Sequence, residues 1–79
     1  MEVIKYPLST EKAIRMMESE NVITFIVDGK ATKDVIKKEI ENMFKVKIVS
    51  VRTANIFGRK KAFVKLSREH PAIDIATQL

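Results

Sequence analysis

The sequence predicts an α+β fold, a small sheet packed with short helices, and three observations support this prediction. Residues 22–28 read VITFIVD, which is apolar on both faces and typical of a strand in the middle of a sheet. Two segments, at 10–18 and 32–45, have the apolar spacing of amphipathic helices. Residues 45–68 contain two runs of β-branched and aromatic residues around Gly58, as in a β-hairpin. The 79 residues suffice for one domain near the lower limit of independent stability.

The N-terminal part of the chain predicts a short strand followed by a helix. Residues 3–6 have an extended pattern that ends at Pro7, because proline disfavours helix in the preceding residue and cannot donate to a ladder. We therefore expect this strand at an edge of the sheet. Ser9 or Thr10 then caps a helix that runs to about Glu18 and presents an apolar stripe of Ala13, Ile14 and Met17.

The middle of the chain predicts a turn and a second helix after the central strand. Asp28-Gly29 is a turn signal, and the following helix runs from about Thr32 to Phe44 or Lys45. The spacing of its apolar residues predicts a buried face made of Val35, Ile36, Ile40, Met43 and Phe44.

The C-terminal part predicts two strands and a short helix. In residues 46–56 the apolar phase slips by one position, which is explained either by a bulge near Ile48 or Val49 or by burial of both faces of the strand. After the last strand, Pro71 suits the first position of a helix whose apolar residues are Ala72, Ile75, Ala76 and Leu79.

Positive charge is concentrated in the predicted hairpin. Residues 45–68 hold eight of the fifteen lysines and arginines, and no Asp or Glu occurs from 42 to 68. Residues 1–41 and 69–79 are each net negative, so the hairpin accounts for the net charge of +5. A basic excess on a small folded domain indicates a polyanionic partner, either nucleic acid or an acidic membrane surface.

The last strand separates apolar from basic side chains. Alternation places Ala62, Val64 and Leu66 on one face and Lys61, Phe63 and Lys65 on the other. Phe63, between two lysines, either stacks on a nucleobase or is covered by a helix on that side of the sheet.

Several kinds of chemistry find no support in the sequence. There is no cysteine, His70 is the single histidine and precedes a proline, and Gly29 and Gly58 stand alone instead of forming a phosphate loop. We therefore predict no catalytic residues, no metal, no cofactor and no enzymatic activity. No apolar run approaches the roughly 18 residues of a membrane span, and no signal peptide is recognisable. A cytoplasmic protein without direct membrane insertion is expected.

A series of short motifs covers nearly the whole chain: Tyr6-Pro7-Leu8-Ser9-Thr10-Glu11-Lys12-Ala13, Phe25-Ile26-Val27-Asp28, Ala31-Thr32-Lys33, Phe44-Lys45-Val46-Lys47-Ile48, Val51-Arg52-Thr53 and Lys60-Lys61-Ala62-Phe63-Val64-Lys65-Leu66. In this order they resemble the L twenty-three family of universal large-subunit ribosomal proteins. Arg52 stands where the family commonly has asparagine. The turn at Gly58 is short, whereas bacterial members carry a long basic extension into the peptide tunnel, so the chain resembles the archaeal branch.

The resemblance implies an α/β sandwich whose antiparallel four-stranded sheet has the order 1-2-4-3, with helices on its faces. It implies that residues 1–79 are a single domain that binds large-subunit ribosomal RNA near the outer opening of the polypeptide exit tunnel. Implied partners are neighbouring ribosomal proteins such as the L twenty-nine family, and the signal recognition particle, nascent-chain chaperones or the translocon. In the family, the acid of the Ser/Thr-Glu-Lys motif faces such factors. Here that acid is Glu11, which also suits the positive end of the helix dipole.

The hairpin is predicted to neutralise phosphates and to recognise RNA by shape instead of base sequence. The residues predicted to contact phosphate or sugar are Arg52, Thr53, Asn55, Arg59, Lys60, Lys61 and Lys65, with Lys12, Lys30 and Lys33 as outlying support. Besides a small hydrolase, two alternatives remain open. One is a docking domain for anionic membranes, for which a strand pair is poorly suited because such domains use basic amphipathic helices. The other is a basic protein-interaction module that pairs with an acidic partner or adds a strand.

Overall fold

A computed structural model describes residues 3–78 of the chain, with side chains through Thr77. The elements are β1 (Ile4–Pro7), α1 (Glu11–Glu20), β2 (Val22–Val27), α2 (Lys33–Phe44), β3 (Ile48–Ile56), β4 (Arg59–Leu66) and α3 (Ala72–Gln78). The four strands form one antiparallel sheet in the order β1-β2-β4-β3. The predicted α+β fold and its sheet order are therefore confirmed.

Threonine side chains begin both longer helices. Thr10 and Thr32 have extended backbone, and their hydroxyl oxygens accept hydrogen bonds from the backbone N–H of the third residue that follows, at 3.2 and 3.3 Å. This satisfies one of the N–H groups that lack a partner at the start of a helix. The helices end at Asn21 and Lys45, both in the left-handed conformation. Of the two residues predicted to cap α1, Thr10 is the cap.

Helices α2 and α3 cover one face of the sheet, which we call the core face. Its buried strand residues come mainly from β2 and β4, with one from β3. The buried residues of this core are Ile23, Phe25, Val27, Ile48, Ala62, Val64 and Leu66 from the sheet, Ala31 from the loop before α2, and Ile36, Ile40, Ala72 and Ile75 from the helices. The alternation predicted for β4 therefore places its apolar residues correctly. Leu79, predicted for the same core, lies outside the described residues.

The buried stripe of α2 is narrower than the sequence predicts. Ile36 and Ile40 are fully buried, whereas Val35 and Met43 are 41% and 51% exposed. The prediction was wrong for these two residues because the helix meets the sheet along a single i, i+4 line. The neighbouring apolar positions then point past the edge of that contact.

Strand β3 contains a bulge. Ile48 pairs with Leu66 and Ser50 pairs with Lys65, so two residues of β3 occupy the space of one residue on β4. The extra residue reverses the phase of the strand and returns Val51 to the core face, where it pairs with Val64. Of the two explanations for the slipped apolar phase, the bulge is the one that the structure supports.

Asn21 connects the end of α1 to the start of α3. Its side-chain amide nitrogen donates to the carbonyl oxygens of Leu66 at 3.2 Å, Ser67 at 3.1 Å and His70 at 3.3 Å. Its Oδ1 accepts a hydrogen bond of 2.6 Å from the backbone N–H of Ala72. One side chain thus supplies backbone partners for the segment between β4 and α3.

Candidate nucleic-acid interface

The face of the sheet opposite the core face carries four of the five cations of strands β3 and β4, and we call it the open face. Directly paired residues on antiparallel strands share a face, so the register assigns its members. They are Tyr6, Val22, Thr24, Ile26, Ser50, Arg52, Ala54, Ile56, Arg59, Lys61, Phe63 and Lys65. Its β2 residues, Val22, Thr24 and Ile26, are buried, so the accessible part of this face lies on β3 and β4. Because α2 and α3 lie on the other side, α1 is the helix that packs beside this surface.

Phe63 lies at the centre of the open face. It pairs with Thr24 on β2 and with Arg52 on β3. The Cζ atom of Arg52 lies 5.8 Å from the centroid of the Phe63 ring, within the distance of a cation–π interaction. Lys61 and Lys65 stand two residues away on either side along β4. The ring is half-buried, so a helix borders it as one alternative predicted, and part of it stays accessible as the other alternative requires.

Helix α1 forms one wall beside the open face. Lys12, Met16 and Glu20 recur every four residues, and together with Arg52 and Phe63 they line a shallow depression. This wall brings a lysine of the first helix next to an aromatic ring of the last strand. The resulting surface is concave and has an aromatic floor.

The cations of the open face form no salt bridge with the acids among the described residues. In residues 3–78 the sole salt bridge joins Arg15 and Glu11 on the exposed side of α1, at 2.8 Å. Glu20 is the acid nearest the open face, where it borders a depression with Arg52 and Lys65. Neither cation forms a salt bridge with it in the described structure. In residues 3–78 the surface therefore presents more cations than acids, without salt bridges between them.

The structure brings four of the ten residues predicted to contact RNA together on the open face. These are Arg52, Arg59, Lys61 and Lys65, and Lys12 joins them from α1. Arg59 also donates a hydrogen bond of 3.1 Å from its Nη1 to the hydroxyl of Tyr6, which links the hairpin to the first strand.

Three other predicted contacts of the hairpin belong to the core-face side. Thr53 pairs with Ala62, although it also borders the depression beside α1, and Asn55 pairs with Lys60. The ammonium of Lys60 donates a hydrogen bond of 2.6 Å to the carbonyl oxygen of Ala31, so it holds the loop before α2 against the hairpin. Alternation along β4 predicts that Lys60 lies on this side. In β3 the bulge interrupts the alternation, so the sequence does not show on which face Thr53 and Asn55 lie.

The last two predicted contacts lie near the start of α2. Lys30 is in the turn after β2, where its backbone N–H donates to Oδ1 of Asp28 at 2.8 Å. Lys33 is the first residue of α2, which packs on the core face. Neither lysine belongs to a strand of the open face.

Sequence reasoning missed the contribution of three residues to the open face. Tyr6 reaches it from β1, while Met16 and Glu20 reach it from α1. The i, i+4, i+8 spacing of Lys12 with the latter two is visible in the sequence and places them on one side of the helix. Which element that side would meet depends on the tertiary packing.

A second depression lies on the other side of α1 and is almost wholly apolar. It is lined by Pro7, Leu8, Ser9, Ile14, Met17 and Ala76, among others. Glu11, predicted to contact factors, is in the first turn of the same helix, exposed and hydrogen-bonded to Arg15. An acid and an apolar hollow thus occur at the same end of α1.

Two further findings concern the described residues alone. No helix in residues 3–78 is both long enough and apolar enough to cross a membrane. Within that part of the chain, His, Asp and Glu side chains do not form a group of three that could hold a metal ion.

The fold and the surface define a class of protein, a small α+β domain with one face closed by helices and a basic, partly aromatic face that stays accessible over β3 and β4. A family model for ribosomal protein L23 matches residues 2–75. The large ribosomal subunit protein uL23 of Trypanosoma brucei brucei is 44% identical over 78 residues, which are 98% of this chain and 48% of that protein. The chain belongs to the ribosomal protein L23 family, and it spans about half the length of this curated relative.

Family membership confirms the resemblance to the L twenty-three family. It also confirms the predicted class, a non-enzymatic ribosomal protein located in the cytoplasmic ribosome. Assignment to the archaeal branch remains a prediction.

Proposed function

We propose that the protein is a structural constituent of the large ribosomal subunit and that it binds large-subunit ribosomal RNA through its open face. The observation that carries the proposal is the arrangement of Arg52, Lys61 and Lys65 around the accessible part of Phe63, without salt bridges in residues 3–78. Membership of a ribosomal protein family supports the same partner.

The chemistry of these side chains suits the sugar-phosphate backbone. The lysines act as point charges for phosphates, while the planar guanidinium of Arg52 can bind a phosphate in bidentate fashion. The contact with the Phe63 ring already restricts the rotamers of Arg52, so the arginine loses less side-chain entropy when it binds a phosphate. Contacts of this kind fix position and orientation on folded RNA, and they carry no base sequence code.

Salt dependence of RNA binding tests the proposal. The open face and its border offer five cations, Lys12, Arg52, Arg59, Lys61 and Lys65. If all five neutralise phosphates, log K for purified large-subunit RNA should fall against log salt with a slope of about −4.5, using the coefficient for duplex DNA. A slope near zero, or no retention of the RNA at low salt, would overturn the proposal.

The two alternatives are separated from RNA binding by direct comparison. Membrane docking predicts flotation of the protein with anionic vesicles at moderate salt, which we do not expect because four of the five cations lie on strands. A protein-interaction module predicts complexes that survive nuclease treatment of a lysate. Loss of the complexes on nuclease treatment supports RNA binding.

We further propose that the bound protein lies near the outer opening of the exit tunnel, beside a protein of the L twenty-nine family. There Glu11 helps to dock nascent-chain factors such as the signal recognition particle, chaperones or the translocon. The apolar depression beside the start of α1 supports this proposal, because it would offer a partner buried contact next to an exposed acid.

Ribosomes that carry Glu11→Lys test this docking role. We expect them to bind the signal recognition particle more weakly, while ribosomes that carry Glu18→Lys, a matched change on the same helix, bind it normally. Equal binding by both variants would remove Glu11 from the docking site and would leave the RNA interface untouched.

A further inference from the structure

The turn at the tip of the hairpin contains an aromatic residue in an unusual position. Ile56 pairs with Arg59, so Phe57 and Gly58 form a two-residue turn between β3 and β4. Their φ angles are 51° and 75°, the pattern of a type I′ turn. The side chain of Phe57 is fully exposed.

Phe57 does not help the fold in either of the usual ways. A type I′ turn favours asparagine, aspartate or glycine at its first central position, because a bulky side chain strains the left-handed conformation. Full exposure means that the ring buries no apolar surface to offset this strain. Residues that combine strain with an exposed apolar side chain mark functional positions.

The surroundings of Phe57 restrict what can cover it. Arg59 follows it on the open face, Lys60 lies on the opposite side of the hairpin, and no acid occurs between residues 42 and 68. An apolar protein surface would leave these cations without partners. A polyanion that also offers planar apolar faces satisfies both the ring and the charges, and single-stranded nucleic acid has this chemistry.

We propose that Phe57 stacks on an unpaired base of the RNA that the open face binds. The inference rests on the proposed function and adds to it a contact at the hairpin tip. The phosphates next to the stacked base would lie within reach of Arg59, so the tip and the open face form one continuous surface.

Replacement Phe57→Asn separates this role from a structural one. Asparagine before glycine is the preferred type I′ pair. Relief of the backbone strain at this position should therefore raise the Tm of the free protein, by about 4–8 °C. Affinity for purified large-subunit RNA should fall about 5- to 150-fold, the range for loss of one stacked base. The salt slope should not change, because no charge is removed.

A tryptophan probe tests the contact directly. The chain contains no tryptophan, so Phe57→Trp introduces a single fluorophore at the tip. Its fluorescence should be quenched by large-subunit RNA, whereas a fully paired RNA duplex should leave it unchanged. The control is Ile73→Trp, which places the probe on α3 at a residue that is 55% exposed and lies on the core-face side.

The outcomes distinguish this inference from the proposed function. If Lys61→Ala weakens RNA binding while Phe57→Asn binds like the wild type, the open face is retained and the stacking contact is overturned. A fall in Tm for Phe57→Asn would assign the ring a structural role and would overturn the inference too. If the wild-type protein does not bind the RNA, the proposed function fails, and the stacking contact fails with it.

Discussion

Asn21 has two structural roles, one through its backbone and one through its side chain. Its backbone adopts the left-handed conformation that ends α1, which asparagine tolerates better than most residues. Its amide then bonds the carbonyl oxygens between β4 and α3 and the first N–H of α3. In sequence it resembles a simple helix breaker, because its partners are far along the chain.

Replacement Asn21→Gly should lower the free energy of unfolding by about 2 kcal/mol. Glycine keeps the positive φ, so the loss reports the hydrogen bonds and the carbonyl groups left without partners. Urea denaturation measures the change. The control is Lys45→Gly, which alters the other left-handed helix end and should not destabilise the domain. Equal losses in the two variants would contradict this role of the amide.

Thr24 is the polar exception in the central strand. It is 3% exposed, and its hydroxyl has no hydrogen-bond partner among the described residues. Thr24→Val has the same shape without the hydroxyl, so we expect the free energy of unfolding to rise by about 1 kcal/mol. Thr32→Val removes a helix cap instead and should lower it by about 1 kcal/mol. A loss of stability in Thr24→Val would contradict the prediction.

The hairpin shows how far a strand pattern can be interpreted without a structure. Alternation along β4 placed Lys61, Phe63 and Lys65 on one face correctly, because these three residues pair with both β2 and β3 without a bulge. In β3 the bulge shifts the register, so the sequence left open on which face Thr53 and Asn55 lie. A bulge is visible as a slipped phase, but its exact residue depends on the strand pairing.

The two adjacent lysines of β4 should respond differently to alanine. Lys61→Ala should shallow the salt slope of RNA binding by about one unit, because its ammonium lies on the open face. Lys60→Ala should change that slope less and should instead lower the free energy of unfolding by about 1–2 kcal/mol, since it loses the bond to Ala31. Filter binding and urea denaturation measure the two quantities. Identical slope changes would show that both lysines contact phosphate.

For the molecule as a whole, the position of charge should matter more than its amount. The double variants Lys61→Ala with Lys65→Ala, and Lys37→Ala with Lys38→Ala, each remove two positive charges. The first pair lies on the open face and the second on the exposed side of α2. We expect the first to shallow the salt slope by about two units and the second to leave it nearly unchanged. Equal effects would indicate binding by net charge alone.

The sequence predicted local elements better than it predicted how they pack together. The caps, the central strand and the hairpin follow from local patterns, while the sheet order came from the resemblance to a family. The wall formed by Lys12 and Met16 was not predictable, because it arises where α1 packs beside a sheet built from residues far along the chain. The site joins both ends of the sequence, and local patterns do not report such distances.

The hydrogen bonds of the Asn21 side chain also affect when the protein can fold during its synthesis. The backbone groups that bond to this side chain lie 45 to 51 positions later in the chain. A growing polypeptide in which only the first helix can fold therefore lacks all of them. The chain must be available for folding as far as Ala72 before all four hydrogen bonds can form. Until then the N-terminal segments form no finished domain, and a newly translated copy would be most open to chaperones or to degradation in that interval.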